Sequence, residues 1–314
     1  MMKRYEYWQL EYRKYRYLKH ISDQELRQRA KDIMTNCITL TEEQKIGFLP
    51  TNEGCATWMR LWTDVLEEFV IRFGPYPAGF DDSFMKDVVP PNFKWPYSAT
   101  AIKKVKDLNL EMGKCFVKFG KYKHLEKTIA SGRIRFTGAS SYQDPSLNHA
   151  IRDSELKIEI HAHPSTVTLT VIDERSGKPK RQIEPIGNIT FAQETSTDYY
   201  VYCLAQAFSP RLIGDFEADS MIVIQKPGEF LTRIMVALKN EMMHGWSFDN
   251  KNVRYVDPLR SNRNDLDVFF NKHFRYAYQR EYRIICLPKE RIKKLDPIFV
   301  HVNGLREIAT LVRC

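Results

Sequence analysis

Between Trp58 and Phe73 the apolar side chains return at steps of three and four: Trp58, Leu61, Trp62, Val65, Leu66, Phe69, Val70 and Phe73. That recurrence places them on one stripe of a helix, which Gly74-Pro75 stops. The stripe is either a core face or a partner-binding face. Ahead of it, Ser22-Asp23-Gln24-Glu25 has the spacing of a capping box, and Thr41-Glu42-Glu43-Gln44 repeats that spacing. From Gly74 to Pro96 the prolines Pro75, Pro77, Pro90, Pro91 and Pro96 predict an irregular segment crossing the body, and Ala99 to Met112 reads as a short helix. With a soft boundary near Gly113, residues 1–112 are expected to form a helical N-terminal region that binds a partner or nucleic acid, and 113–314 a second unit.

Beyond Gly113 the period falls to two. Lys114 to Phe119 predicts a strand, Tyr122 to Ala130 a helix with Leu125 and Ile129 inward, and Arg133 to Thr137 a returning strand. A loop rich in turn formers and hydrogen-bonding side chains follows, GASSYQDPSLNHAIRD. Alternating runs at Glu155 to His163 and Ser165 to Asp173 flank Pro164, and Glu174 to Lys180 reads as an exposed turn. Tyr199 to Leu204, Ser220 to Gln225, Asn252 to Val256 and Pro297 to Val302 predict further strands, and Pro227 to Met243 a helix. From Tyr276 the alternation predicts one more strand, with Gln279 and Glu281 projecting from the same face. A carboxylate and an amide so placed can act on one ligand, although charged cross-strand pairs decorate many strand faces. The class is α+β.

Composition narrows the reading. With 314 residues, 43% apolar and 12% aromatic, the chain can bury a sizeable core. A formal charge of +9 favours an anionic partner, and residues 1–20 interleave six aromatics with six Lys/Arg. That mixture can stack bases while neutralising phosphates, and it equally suits a helix packing its rings inward. No apolar run of membrane-spanning length and no secretion signal is found, so a cytoplasmic location is expected. The six cysteines lack any CxxC pair, and His161 and His163 lack a third ligand at recognisable spacing. There is no GxGxxG after a strand, no Walker-type loop, no GxSxG and no HExxH.

The segments FVKFGKYKHLEKTIASGRIRF, SSYQDPSLN, YVYCLAQAF and FFNKHFRYAYQREYRI together resemble a family of prokaryotic stress and phage-defence proteins. Its members carry a Lys-Tyr first strand, an Asn-Asp-Pro loop, a Cys-Leu-Ser strand and a late Glu-x-Glu-Tyr-Arg strand. That plan in turn is similar to the ADP-ribosyltransferase fold, a split β-sandwich in toxin-type enzymes that consume NAD. The resemblance covers roughly residues 113 to 290. It implies that Lys118 occupies the first-strand position that meets the dinucleotide, that Gln143-Asp144-Pro145 stands for Asn-Asp-Pro, and that Gln279-x-Glu281 is the late motif. The middle motif appears as Cys203-Leu204-Ala205, without the hydroxyl, so Ser196 within Thr195-Ser196-Thr197 and Ser209 are alternative candidates.

Breaking the nicotinamide–ribose bond develops oxocarbenium-like charge on the sugar, and a fixed carboxylate steadies it. Glu281 is expected in that role, Gln279 as the group orienting the nucleophile, Lys118 as a pyrophosphate or ribose contact, and Arg283 as a second phosphate contact or the ion-pair partner of Glu281. NAD is expected as a consumed substrate, with no metal. The resulting expectation is an ADP-ribosyltransferase toxin acting on nucleic acid, single-stranded RNA before DNA, held in check by an antitoxin or chaperone. The alternative is a non-enzymatic nucleic-acid-binding or effector-assembly protein that retains the fold.

Overall fold

In the computed structural model, which describes residues 2–41, 43, 45–48, 53–86, 95–109, 114–242 and 244–314, the chain opens with helices α1 (Arg4–Lys14) and α2 (Asp23–Cys37). Ser22 caps α2 as its spacing predicts: its hydroxyl accepts from the Glu25 N–H, and the Glu25 carboxylate takes the Ser22 N–H at 2.7 Å. The second box does not start a helix. Thr41 lies in the turn of a hairpin, β1 (Ile38–Leu40) and β2 (Ile46–Phe48), with its N–H on the Lys45 carbonyl; Glu42 and Gln44 lie outside the described residues. Helix α3 (Glu53–Phe73) carries the apolar stripe inward, and Gly74 at φ 95° ends it.

Part of the aromatic-basic N-terminus bonds to α3, while Tyr5, Tyr7 and Tyr15 are exposed. Tyr12 and Arg16 bond Glu68, Arg13 pairs with Glu67 at 2.6 Å, and Tyr17 donates to Asp64 at 3.0 Å. Leu18, Leu26, Ile33, Val65 and Phe69 fill the space between these helices, so the stripe is a core face.

Helix α4 (Trp95–Asp107) starts earlier than its apolar pattern suggested, with Pro96 in the first turn, where a missing N–H costs nothing. The expected boundary at Gly113 lies outside the described residues. There follow β3 (Phe116–Gly120), α5 (Tyr122–Ser131), β4 (Arg133–Gly138), β5 (Lys157–Ala162), β6 (Leu169–Ile172), β7 (Pro179–Ile183), β8 (Ile189–Glu194) and β9 (Tyr200–Ala205). Then come α6 (Arg211–Asp215), β10 (Ser220–Ile224), α7 (Pro227–Met242), β11 (Trp246–Asn252), β12 (Arg254–Val256), β13 (Asn271–His273), β14 (Glu281–Pro288), β15 (Ile298–His301) and β16 (Ala309–Arg313). Several alternating runs are shorter than expected, and β7 takes up the end of the segment read as a turn.

The main sheet runs β11-β14-β9-β3-β10-β16 with antiparallel neighbours, and it divides at β9. Ala205 at the end of β9 pairs with Val117 of β3, while Tyr200 and Val201 at its start pair with β4, whose other edge holds β15. Phe136, Phe230, Ile234, Ile284 and Val300 pack one face of this sheet against α5 and α7. Two hairpin ladders, β5-β8 and β6-β7, form an arm outside it, and β12-β13 is the one parallel pair among the described residues. The architecture is mixed α+β, N-terminal helices followed by mainly antiparallel sheet.

Residues Tyr276 to Gln279 are not strand. Phe274–Gln279 forms a 3-10 turn, and the chain passes through Arg280 at φ 46° before β14 starts at Glu281. The cause is tertiary. Asn36 of α2 donates to the carbonyls of Phe274 and Arg275 and accepts the Tyr278 N–H at 2.8 Å, so the backbone of this segment bonds to a helix instead of a neighbouring strand. The buried Arg29–Asp257 pair at 2.6 Å fastens the same helix nearby. Asn36→Ala strands those backbone groups and is expected to cost about 2 kcal/mol in urea unfolding, with an unchanged midpoint counting against the clamp.

Candidate functional site

Strand β14 brings Glu281 opposite Ala205 of β9, and β3 brings Lys118 alongside, because Val117 also pairs with Ala205. Three adjacent strands therefore converge on one cavity of about 250 Å³, lined by Lys118, Tyr142, Glu155, Cys203, Lys272, Gln279 and Glu281 among others. Lys118, Gln279 and Glu281 come together as the sequence motifs suggested. Ser196 and Ser209 do not line it: Ser196 is exposed and its carbonyl accepts from Arg291, and Ser209 precedes α6. Cys203 holds the middle-strand place. Arg283 lies behind Glu281, fully buried.

Gln279 and Glu281 meet by another route than a shared strand face. The Lys272 ammonium bridges them, donating to Gln279 Oε1 at 3.3 Å and Glu281 Oε2 at 3.1 Å. Gln279 spends its amide group on the Ala150 carbonyl at 2.7 Å. The left-handed Arg280 between them makes the turn that aims both side chains inward. A non-glycine residue there is held against its backbone preference, so Arg280→Gly is expected to stabilise by about 0.5 kcal/mol, read as a raised urea midpoint.

Around Glu281 a buried ionic network closes. Arg283 Nε donates to Glu281 Oε1 at 2.7 Å, Arg283 pairs with Glu155 at 2.6 Å, and Lys272 lies 3.7 Å from Glu155 and 3.8 Å from Asp153. The Glu281 N–H donates to the Tyr255 hydroxyl at 2.7 Å. Burial by itself would raise the Glu281 carboxyl, but Arg283 and Lys272 outweigh it and hold the group well below the usual carboxylate range. Glu155 moves the other way: burial pushes it up against the pull of the same two cations, with Asp153 and Glu281 adding to the rise.

Lys118 differs from Lys272. Its ammonium donates to the Cys203 carbonyl at 2.9 Å and sits 4.6 Å from the Tyr202 ring, with no carboxylate in ion-pair contact among the described residues. Burial lowers its pKa.

Asp153, Glu155, Tyr142 and Lys272 escaped the motif reading. Lys272 stands inside the late stretch as the second residue of NKHFRY, Tyr142 and Asp153 belong to the polar loop read only as turn-forming, and Glu155 opens the run read as a strand. His161 bonds Thr190 and His163 bonds Ser165. No helix among the described residues is long and apolar enough to cross a membrane. No family model, no curated protein and no solved structure matches the chain.

Proposed function

We propose that the protein is an ADP-ribosyltransferase that consumes NAD and modifies a nucleic acid, built on an ADP-ribosyltransferase-like split β-sandwich. The observation that carries this reading is Glu281, a carboxylate kept charged by two cations at a cavity it shares with Lys118. As the bond from ribose C1′ to the nicotinamide nitrogen breaks, its electron pair leaves with nicotinamide, and Glu281 steadies the cationic sugar. Lys118 is a half-buried cation with no carboxylate in ion-pair contact among the described residues, and an entering pyrophosphate supplies a counter-anion. At about 250 Å³ the cavity suits the nicotinamide-ribose half, with the remainder of the dinucleotide across its mouth. An enzyme of this kind needs restraint in its own cell, which an antitoxin or chaperone would provide.

A second reading keeps the fold without turnover. Both Glu281 oxygens and the Gln279 amide already have partners within the protein, as a structural network would arrange them. Incubation with NAD labelled in the adenylate moiety, against separate pools of RNA, DNA and protein, discriminates the two. Label on RNA supports the first reading, and no NAD consumption with any pool removes it.

A further inference from the structure

A hollow larger than the proposed catalytic cavity lies away from Glu281. A groove of about 760 Å³ opens between α1 and α3 on one side and the β5-β8 arm and the loop after β12 on the other. Its lining includes Arg60, Arg260 and Arg263, none of which makes a guanidinium hydrogen bond or ion pair among the described residues. Arg60 Nε is buried without a partner. The carboxylates in the same wall are engaged: Glu11 with Lys14 at 2.7 Å, Asp64 with the Tyr17 hydroxyl at 3.0 Å, and Asp265 with Arg254 at 3.1 Å. Arg60 and Arg260 reach Asp64 only through space.

Ring faces lie beside two of these cations. Arg260 lies 5.7 Å from the Tyr17 ring and Arg263 5.3 Å from Phe191, while Tyr15, His163 and His20 follow one another at 5.0 and 5.1 Å. Burial, then His20 and Lys19, lower the His163 pKa, which keeps that ring neutral near pH 7. A further hollow of about 410 Å³ shares Leu259 with the groove and Lys272 with the proposed catalytic cavity.

We propose that this groove binds a single-stranded nucleic acid, with Arg60, Arg260 and Arg263 on its phosphates and Tyr15, His163 and Phe191 against its bases. Cations without carboxylate partners can exchange water and counterions for phosphate without breaking an internal pair. Aromatic faces beside them accept bases of any identity. The spacing of cation and ring along one trough separates this from a patch of surface charge. It extends the acceptor half of the proposed function, and it is measured by binding alone.

Fluorescence anisotropy with labelled mixed-sequence single-stranded RNA, the same sequence as DNA, and labelled polyglutamate tests it on the full chain. Arg260 lies over the buried Tyr17 ring but is exposed, as is Arg263, so R260E/R263E acts at the groove wall, with urea unfolding as the check on its fold. That double variant is expected to lose at least about tenfold in affinity for the strand, and its salt slope to fall by roughly 0.7 for each phosphate contact removed. K123E/K127E on the exposed face of α5 makes the same change in net charge and is expected to stay within about twofold of wild type. Preference for RNA over DNA adds a 2′-hydroxyl contact, and equal binding assigns phosphate and base contacts alone; either supports the groove. Equal losses in the two double variants, no binding of either strand, or tighter binding of polyglutamate overturns it. NAD consumption with and without the acceptor pools, measured on the same proteins, separates the two proposals. Strand binding without NAD consumption removes only the catalytic reading, and the reverse removes only the groove.

Discussion

Glu281→Gln is expected to lower NAD consumption by about 10²- to 10³-fold while the far-ultraviolet circular dichroism stays that of the wild type. The substitution keeps the shape but turns one of the two acceptor oxygens into an NH2 donor facing Lys272 or Arg283, and it removes the charge that the proposed mechanism aims at the sugar. Folding survives because Lys272 and Arg283 still face Glu155 and Asp153, leaving two cations opposite two carboxylates. The stability cost is nevertheless real, about 1 to 3 kcal/mol near neutral pH, since the folded state favours the charged form of this group. The depressed folded pKa fixes the pH dependence. Stability from Glu281 is present above its ordinary value of 4.5 and is lost as the pH falls toward the lower folded value. Urea unfolding of wild type and variant should therefore show a gap near pH 7 that narrows progressively once the pH falls below about 4.5 and is still present at about pH 3. A constant gap would mean that the charge of Glu281 does not support the fold, and unchanged NAD consumption would end the catalytic assignment.

Arg283→Met should have the largest effect on stability, a loss of about 3 to 5 kcal/mol in urea unfolding. Arg283 is fully buried and serves three acceptors: Glu281 at 2.7 Å, Glu155 at 2.6 Å and the Phe269 carbonyl at 3.0 Å. Methionine fills much of the space but leaves Lys272 alone against Glu155, Glu281 and Asp153. Adding Glu155→Gln removes one stranded carboxylate and should return about 1 to 2 kcal/mol, a coupling that independent sites would not show. A loss under about 1 kcal/mol for Arg283→Met, or strict additivity in the double variant, would contradict the network as described.

Sequence patterning reached the elements governed by near neighbours. The Ser22 capping box, the α3 stripe ending at Gly74, and the β3-α5-β4 unit with its stop at Gly132 all follow from interactions within a few residues. Thr41 shows the limit, because the same local spacing became a hairpin turn once β1 and β2 could pair. Tyr276 to Gln279 shows it again. Alternation is a sound strand signal only while the backbone seeks a ladder, and Asn36, more than two hundred residues away, supplied other partners. The short strands of the arm were blurred for a related reason: half-exposed hairpins carry little apolar contrast.

For the site, the resemblance of short motifs pointed to Lys118, Gln279 and Glu281, and equally to Ser196, Ser209 and Arg283, since residue type within short motifs is a local property. Only the tertiary structure decided that Lys272 bridges the last two, that Arg283 and Glu155 complete their network, and that Ser196 and Ser209 stand away from the cavity. The physical reason is that a buried charge is defined by its partners. Those partners come from separate strands and loops, and no spacing in the sequence records which of them the packed sheet brings within 4 Å.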